Sequence, residues 1–245
     1  MSKRYIPAML LAGALLLSGC GGDNEPAGQT PATDGSAPAS APASSDNKGS
    51  DNKGSDGKGK WVPAGQDARA ELEKISADAQ NNAKAKTFVM RQESKGSVGG
   101  QAVTGTTEMK IDATDPNNQK AHAIIENNGE KQEIIMIGKD MWMRSGEGPW
   151  QHQDNPNPNE DNGITFQFPT DYDIKALGES DVDGTKMRGY EVTHQSKQQT
   201  IQMFFDVKEM LLRKQISTVE DGNLSQEVVA TFTDYGKKFD IKAPQ

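Results

Sequence analysis

The chain has 245 residues, with 35 acidic against 27 basic side chains and a formal net charge of −8. This acidic balance argues against a nucleic-acid-binding protein, because such proteins carry basic surfaces. A single cysteine excludes an intramolecular disulfide, a CxxC metal site and a redox dithiol.

The first 19 residues are predicted to form an export signal. Lys3 and Arg4 give a basic start, and an apolar run follows over residues 5–17. A transmembrane helix needs about 20 apolar residues, so this run is too short to span a bilayer.

The apolar run ends in Leu17-Ser18-Gly19-Cys20, which resembles a bacterial lipobox. The resemblance implies that residues 1–19 are a lipoprotein signal peptide. It also implies that Cys20 becomes the mature N-terminus and carries acyl chains such as palmitoyl, which anchor the protein to a membrane of the cell envelope on its extracytoplasmic side. Gly21 follows in place of an Asp, which by resemblance to diderm lipoproteins favours the outer membrane or the cell surface.

Residues 20–60 are predicted to be a lipid-anchored, disordered tether. They are mainly Gly, Ser, Ala, Pro, Asp, Asn and Lys, with three near-copies of the motif SDNKG over residues 45–59. Such a segment cannot bury enough apolar surface to fold. As a flexible coil it spans roughly 35 Å, so the rest of the chain stays near the membrane while moving freely.

Residues 61–245 are predicted to form one domain. Leu72, Ile75 and Ala79 recur at helical spacing, which predicts one amphipathic helix over residues 66–85. After it the apolar period changes to two, which is typical of half-buried antiparallel strands. The run Asn127-Asn128-Gly129 predicts a tight hairpin. A second hairpin turns at 138–140, and a Pro- and Asn-rich loop is predicted over 152–163.

Further strands are predicted near residues 173–178, 186–194, 199–206, 210–218, 224–234 and 238–242, with a short helix within 168–177 as another possibility. A long antiparallel meander must close into a barrel or have its concave face covered. The predicted fold class is therefore α+β: an incomplete antiparallel β-barrel of about 10–11 strands wrapped around the N-terminal amphipathic helix.

The order of elements resembles the LolA/LolB-like and LppX/LprG-like lipid-binding lipoproteins of bacteria. The resemblance rests on the first helix and on a set of short motifs, which are the hairpin 135–144, Gly148-Pro149-Trp150, Val182-Asp183-Gly184, Tyr190-Glu191-Val192 and Tyr235-Gly236 with 241–244. It implies a LolA-like half-barrel whose concave apolar face binds a lipid or the acyl part of another lipoprotein.

Catalytic and metal-binding motifs are not found in the sequence. His122, His152 and His194 lack metal-ligand spacing, no G-x-S-x-G elbow occurs, and the only cysteine is predicted to be acylated. We therefore expect no enzyme, no cofactor and no metal.

Methionine is the feature that points to a ligand, since eight of the ten methionines lie in the predicted domain. Methionine adapts its shape to irregular apolar partners, although the same residues could simply fill a core. Alternation along the strands predicts a set of cavity-lining residues: Met90, Met109, Ile111, Ile125, Ile135, Ile137, Trp142, Met203, Phe205, Leu212, Ile216 and Val228. Trp142 and Trp150 are candidates for a headgroup clamp or for hairpin packing.

The predicted function is that of a membrane-anchored extracytoplasmic lipoprotein that binds, and carries, a lipid or an acylated lipoprotein without catalysis. The alternative is a tethered module that docks an envelope protein or senses the envelope without a lipid ligand. The size of the interior cavity separates the two, because an acyl chain needs a pocket of several hundred cubic ångströms.

Overall fold

The computed structural model describes residues 61–156, 168–196 and 198–245. The predicted signal peptide, Cys20 and the tether lie outside these residues and remain predictions. The described chain has an α-helix, α1 (Arg69–Asn81), and a 3-10 helix (Ala83–Lys86). The strands are β1 (Thr87–Val98), β2 (Gln101–Asp112), β3 (Lys120–Asn127), β4 (Glu130–Ile137), β5 (Asp140–Ser145), β6 (Gln151–Asp154), β7 (Tyr172–Val182), β8 (Thr185–His194), β9 (Gln199–Asp206), β10 (Leu212–Asp221) and β11 (Leu224–Thr233).

All eleven strands form one antiparallel sheet in the order β6-β5-β4-β3-β2-β1-β11-β10-β9-β8-β7. Neighbours in the sheet are neighbours in sequence, except that β1 pairs with β11 in the middle. Among the described residues the sheet is not closed, since β6 and β7 are its two edges. The predicted open antiparallel sheet with one N-terminal helix is therefore confirmed.

Helix α1 packs on one face of the sheet, which we call the inner face. Leu72 and Ile75 are buried there against side chains of β1, β2, β8 and β9, among them Phe88, Tyr190 and Phe205. Removing these apolar side chains from water is the main force that holds the helix on the sheet. The opposite face is called the outer face.

The predicted single helix over 66–85 is wrong in its length. Helix α1 ends at Asn81, because Asn82 takes an extended conformation and its side chain accepts a hydrogen bond from the Lys84 amide (3.0 Å). Asparagine competes with the helix for backbone hydrogen bonds in this way, so a separate 3-10 turn begins at Ala83.

The hairpin predictions at 127–129 and 138–140 are confirmed. Asn128 and Gly129 both have positive φ (49° and 87°), as a two-residue turn of this type requires. Lys139 and Gly138, with φ of 56° at the glycine, form the turn between β4 and β5.

The strand predicted near 173–178 is confirmed as β7, since Ile174 and Ala176 alternate with exposed residues into the core, and the alternative of a short helix there is wrong. Two other predicted elements differ. Residues 238–242 form no strand, because the chain turns away at Gly236, whose amide donates to the carbonyls of Lys84 and Thr87 (both 3.1 Å). The predicted loop 152–163 begins as strand β6, and its residues from 157 onward lie outside the described part.

Candidate ligand-binding face

The strand register sorts the side chains of β1–β5 into rows across the inner face. Residues that pair directly in an antiparallel sheet share a face, as do alternate residues along one strand. Two adjacent rows are entirely apolar and contain five methionines. We call them the methionine rows: Phe88, Ile111, Ala121, Met136 and Met141 in the first, and Met90, Met109, Ala123, Ile134 and Met143 in the second.

The methionine rows continue the core beyond the part that α1 buries. Met90, Met109 and Met136 are half-buried and pack at the margin of the core, and Met143 packs beside Ile134. At about 4.8 Å per strand, five strands make this surface about 19 Å wide. Of the ten side chains in the two rows, these four methionines remain partly exposed and form an adaptable apolar surface, whereas the other six are buried.

A row of uncharged, mainly polar side chains follows the second methionine row, two residues further along each strand. It runs from Gln215 through Ala230, Gln92, Thr107 and Ile125 to Gln132, and these residues pair directly across the strands. We call it the polar row. Gln92 is buried and Gln132 is exposed, so the row runs from the interior to the rim.

Eight of the twelve predicted lining residues lie on the inner face: Met90, Met109, Ile111, Ile125, Met203, Phe205, Leu212 and Val228. Met203, Phe205 and Leu212 are at most 2% exposed and belong to the core beneath α1. The structure therefore brings together a smaller accessible group around Met90, Met109 and Ile125.

Ile135, Ile137 and Trp142 lie on the outer face, not on the predicted inner face. Pairing across the hairpin places Ile134 and Met136 opposite the inward Ala123 and Ala121, so the residues between them point the other way. Trp142 pairs with Ile135 and shares its face. The uninterrupted apolar run of β4 carries no alternation from which this could be read, and a shift of one residue inverts every side chain.

Ile216 also lies on the outer face. A β-bulge between Leu212 and Lys214 inserts one extra residue in β10. Alternation counted from the inward Leu212 is therefore inverted at Ile216, which pairs with Gln202.

The two tryptophans considered as a headgroup clamp take part in contacts of the edge strands. The Trp142 ring lies 5.1 Å from the His152 ring, and the Arg144 guanidinium lies 4.6 Å from the centre of the Trp150 ring. Because Trp142 projects from the outer face, these contacts agree with hairpin packing.

Arg144 also binds Glu133, with an Nε–oxygen distance of 2.8 Å, and the His122 ring lies 2.7 Å from the same carboxylate. Burial alone would raise the pKa of the Glu133 carboxyl, but the hydrogen bonds from Arg144 and His122 outweigh it, and the pKa is lowered.

Helix α1 is fixed to the inner face by a buried ionic network. The Glu71 carboxylate accepts hydrogen bonds from Arg188 Nε (3.0 Å), from the Val62 amide (2.7 Å) and from the Tyr190 hydroxyl. Burial, and secondly the hydrogen bond to Glu71, raise the pKa of Tyr190 well above its usual value. The network thus holds a protonated phenol and a compensated ion pair under the first turn of the helix.

Two hollows lined by described residues measure about 210 and 220 Å³. The first lies near the β3–β4 turn, between Ser94, Gly105 and Asn128, and the second lies beside Glu191 and His194. Both are lined mainly by polar side chains, and neither is an apolar pocket of acyl-chain size. Neither of them is lined by residues of the methionine rows.

Within the part of the chain that the structure describes, no group of three or more His, Cys, Asp and Glu side chains is arranged to hold a metal ion. His122, His152 and His194 are each hydrogen-bonded to one carboxylate, at 2.7, 2.8 and 3.1 Å. Neither of the described helices is both long and apolar enough to cross a membrane.

The four polar members of the polar row and seven members of the methionine rows are not among the predicted lining residues. The seven are Phe88, Ala121, Ala123, Ile134, Met136, Met141 and Met143. The facing of those on β3 and β4 could be predicted from the turn at Asn128-Gly129. A two-residue turn pairs Asn127 with Glu130, and this pair fixes every later pair of the hairpin. Counting outward from the turn gives the inward position of Ile134.

No family model and no curated protein matches the chain. Among solved structures, it is similar to LprF from Mycobacterium bovis, with 12% identity over 73% of this chain and 99% of that chain (TM-score 0.49). It is also similar to MucB in the MucA/MucB complex of Pseudomonas aeruginosa, with 14% identity over 69% of this chain and 61% of that chain (TM-score 0.39).

A LolA superfamily protein from Nitrosomonas europaea has 10% identity over 67% of this chain and 94% of that chain (TM-score 0.28). At such identities and TM-scores, function has to be argued from this chain's own residues. An LprF and a LolA superfamily protein are thus among the solved structures to which the chain is similar.

Proposed function

We propose that this protein binds a lipid, or the acyl part of another lipoprotein, on the methionine rows of the inner face, without making or breaking bonds. We place it in the cell envelope, on the extracytoplasmic side of the membrane to which the predicted acylation of Cys20 would anchor it. There it would carry the ligand, and the tether would let the domain reach donors and acceptors.

The observation that carries the proposal is the half-buried, charge-free apolar surface around Met90, Met109 and Met143. Each acyl methylene removed from water contributes about 0.8 kcal/mol. Ten methylenes contribute about 8 kcal/mol before association costs, which supports reversible binding and suits a carrier. The flexible methionine side chains would adapt to chains of different shape.

A second candidate is a module that docks a protein partner. It is favoured by the two described hollows, which are polar and no larger than about 220 Å³. A half-buried apolar surface can accept an apolar protein segment as well as an acyl chain.

Native mass spectrometry of residues 61–245, exported to the periplasm and purified without detergent, tests the proposal. We expect an adduct that disappears after organic extraction and returns on incubation with envelope lipids. Met109→Glu should abolish the adduct, because it places a charge in the second methionine row.

Lys110→Glu is the matched control, since the next residue on β2 projects from the outer face and its exchange should leave the adduct intact. Circular dichroism checks that both variants fold. A bare mass that persists after incubation with envelope lipid extract would contradict lipid binding, and crosslinking in intact envelopes would then identify the protein partner.

A further inference from the structure

The inner face changes its polarity along the strand direction. Beside the methionine rows lies the polar row, at a distance of two residues or about 7 Å along each strand. Beyond the polar row, the next inward positions on β1, β2 and β3 are Ser94, Gly105 and Asn127. An amphiphile whose chain lies on the methionine rows would therefore place its headgroup at Gln92, Thr107 and Gln132.

The part of the inner face that runs from β5 to β11 carries almost no charge. Across strands β1–β5 and β11, all of them fully described, Glu130 beside the hairpin turn is the only charged residue that projects inward. Further along the sheet, the inward charged residues are Asp221 on β10, Lys186 and Arg188 on β8, and Glu179 and Asp181 on β7. The Arg188 guanidinium is bound to Glu71. The outer face contrasts sharply, since Arg91, Glu93 and Lys95 project from β1 alone.

The polar side chains in this position offer both donors and acceptors. A glutamine amide has two N–H donors and a carbonyl acceptor, and a threonine hydroxyl can donate or accept. They can therefore pair with hydroxyl, ester or amide groups of a ligand. An anionic headgroup would leave water without gaining a counter-charge, which is unfavourable in a partly buried site. A cationic headgroup would meet only Glu130, which is exposed beside the hairpin turn.

From this charge complementarity we infer that the ligand of the inner face is an amphiphile with an uncharged, hydrogen-bonding headgroup, and that Thr107 and the neighbouring glutamines of the polar row select it. The inference rests on the proposed function, because it assumes that the methionine rows bind the chain of that ligand. Thr107 is central, since it pairs directly with Gln92 and Ile125 and adjoins Met109 along β2.

Photolabelling of the full chain in phosphatidylcholine vesicles tests this inference. The vesicles contain either a monoacylglycerol or the alkylsulfonate with the same diazirine-bearing chain, and labelled residues are mapped by peptide mass spectrometry. We expect the neutral probe to label the inner-face strands about tenfold more than the anionic probe, as a difference of one unpaired charge would give.

A charge introduced into the polar row should reverse this preference. Thr107→Lys supplies the missing counter-charge, so the alkylsulfonate should label at least as strongly as the monoacylglycerol. Gln132→Lys, at the exposed end of the same row, repeats the test if the half-buried lysine prevents folding. Thr106→Lys is the control, because Thr106 is exposed on the outer face and should leave the preference unchanged.

The outcomes separate the two proposals. Equal or stronger labelling of the unaltered chain by the alkylsulfonate overturns the inference but leaves lipid binding intact. A lack of inner-face labelling by either probe, with the chain folded, overturns the proposed function itself. A reversal produced equally by Thr106→Lys would also overturn the inference, because the effect would then come from net charge.

Discussion

Replacement of Glu71 by alanine should lower the free energy of unfolding of the domain more than any surface substitution on α1 does. The Arg188 side chain is 3% exposed and that of Glu71 is 12% exposed, so the pair is almost completely removed from water. Without Glu71 the guanidinium keeps its charge but loses its counter-ion, and removal of one partner of a buried pair costs roughly 3–5 kcal/mol. That is a large share of the 5–15 kcal/mol that is typical of a whole domain.

Urea denaturation followed by circular dichroism measures this loss as a lower midpoint at unchanged slope. Glu71→Leu combined with Arg188→Met should recover most of the stability, because it removes both charges together. Lys74→Ala on the same helix is the control. Its ion pair with Asp78 is shorter (2.6 Å), but both side chains are more than 60% exposed, so the loss should be at most about 1 kcal/mol.

If Glu71→Ala lowers the free energy of unfolding by less than about 1 kcal/mol, the burial of this pair is refuted. Additive losses in the double variant would refute the coupling between the two residues.

Three further predictions concern packing and pH. Gly96→Ala should lower the free energy of unfolding by about 2 kcal/mol or more, because the new methyl group would lie 2.2 Å from the Ser225 carbonyl oxygen of β11. A urea midpoint equal to that of Ser97→Ala would contradict this prediction. Burial raises the pKa of both Tyr190 and Tyr235 above the usual value of 10. Beyond pH 10 these tyrosines ionise in the unfolded chain but not in the folded one, so the free energy of unfolding should fall as the pH rises further. Equal urea midpoints at pH 9 and pH 11 would contradict this prediction. The pKa of Glu133 is lowered from 4.5, so the ionised carboxylate stabilises the folded state above that pH, and this stabilisation is lost on acidification. Glu133→Gln should therefore make the urea midpoint fall less steeply between pH 5 and 3.

The arrangement of helix and strands could be predicted because each element carries its own local signal. Leu72, Ile75 and Ala79 recur at the helical period, and the positive-φ turn at Asn128-Gly129 marks a hairpin regardless of what surrounds it. The end of α1 was harder, since it depends on a competing hydrogen bond from the Asn82 side chain.

The facing of side chains could be predicted only in part. Met90, Met109 and Ile125 lie in strands that alternate visibly, but β4 is apolar on both sides. The bulge after Leu212 depends on how β10 meets β9, which periodicity within β10 does not report. Positions such as Gln92 were overlooked because burial of a neutral polar side chain leaves no apolar signal in the sequence.

The pairing of β1 with β11 has a consequence for how the chain reaches this fold. Strands β1–β6 form one meander and β7–β11 another, and within each meander every strand pairs with its sequence neighbour. In the described part of the chain, the β1–β11 ladder is the one strand pairing that joins them, between residues such as Met90 and Phe232 that are far apart in the chain. Formation of local hairpins closes short loops, whereas this ladder must close a very long one, which is entropically slower. We expect the two meanders to fold locally first and the pairing of β1 with β11 to limit the folding rate. Stabilising this one ladder would therefore accelerate folding of the entire domain.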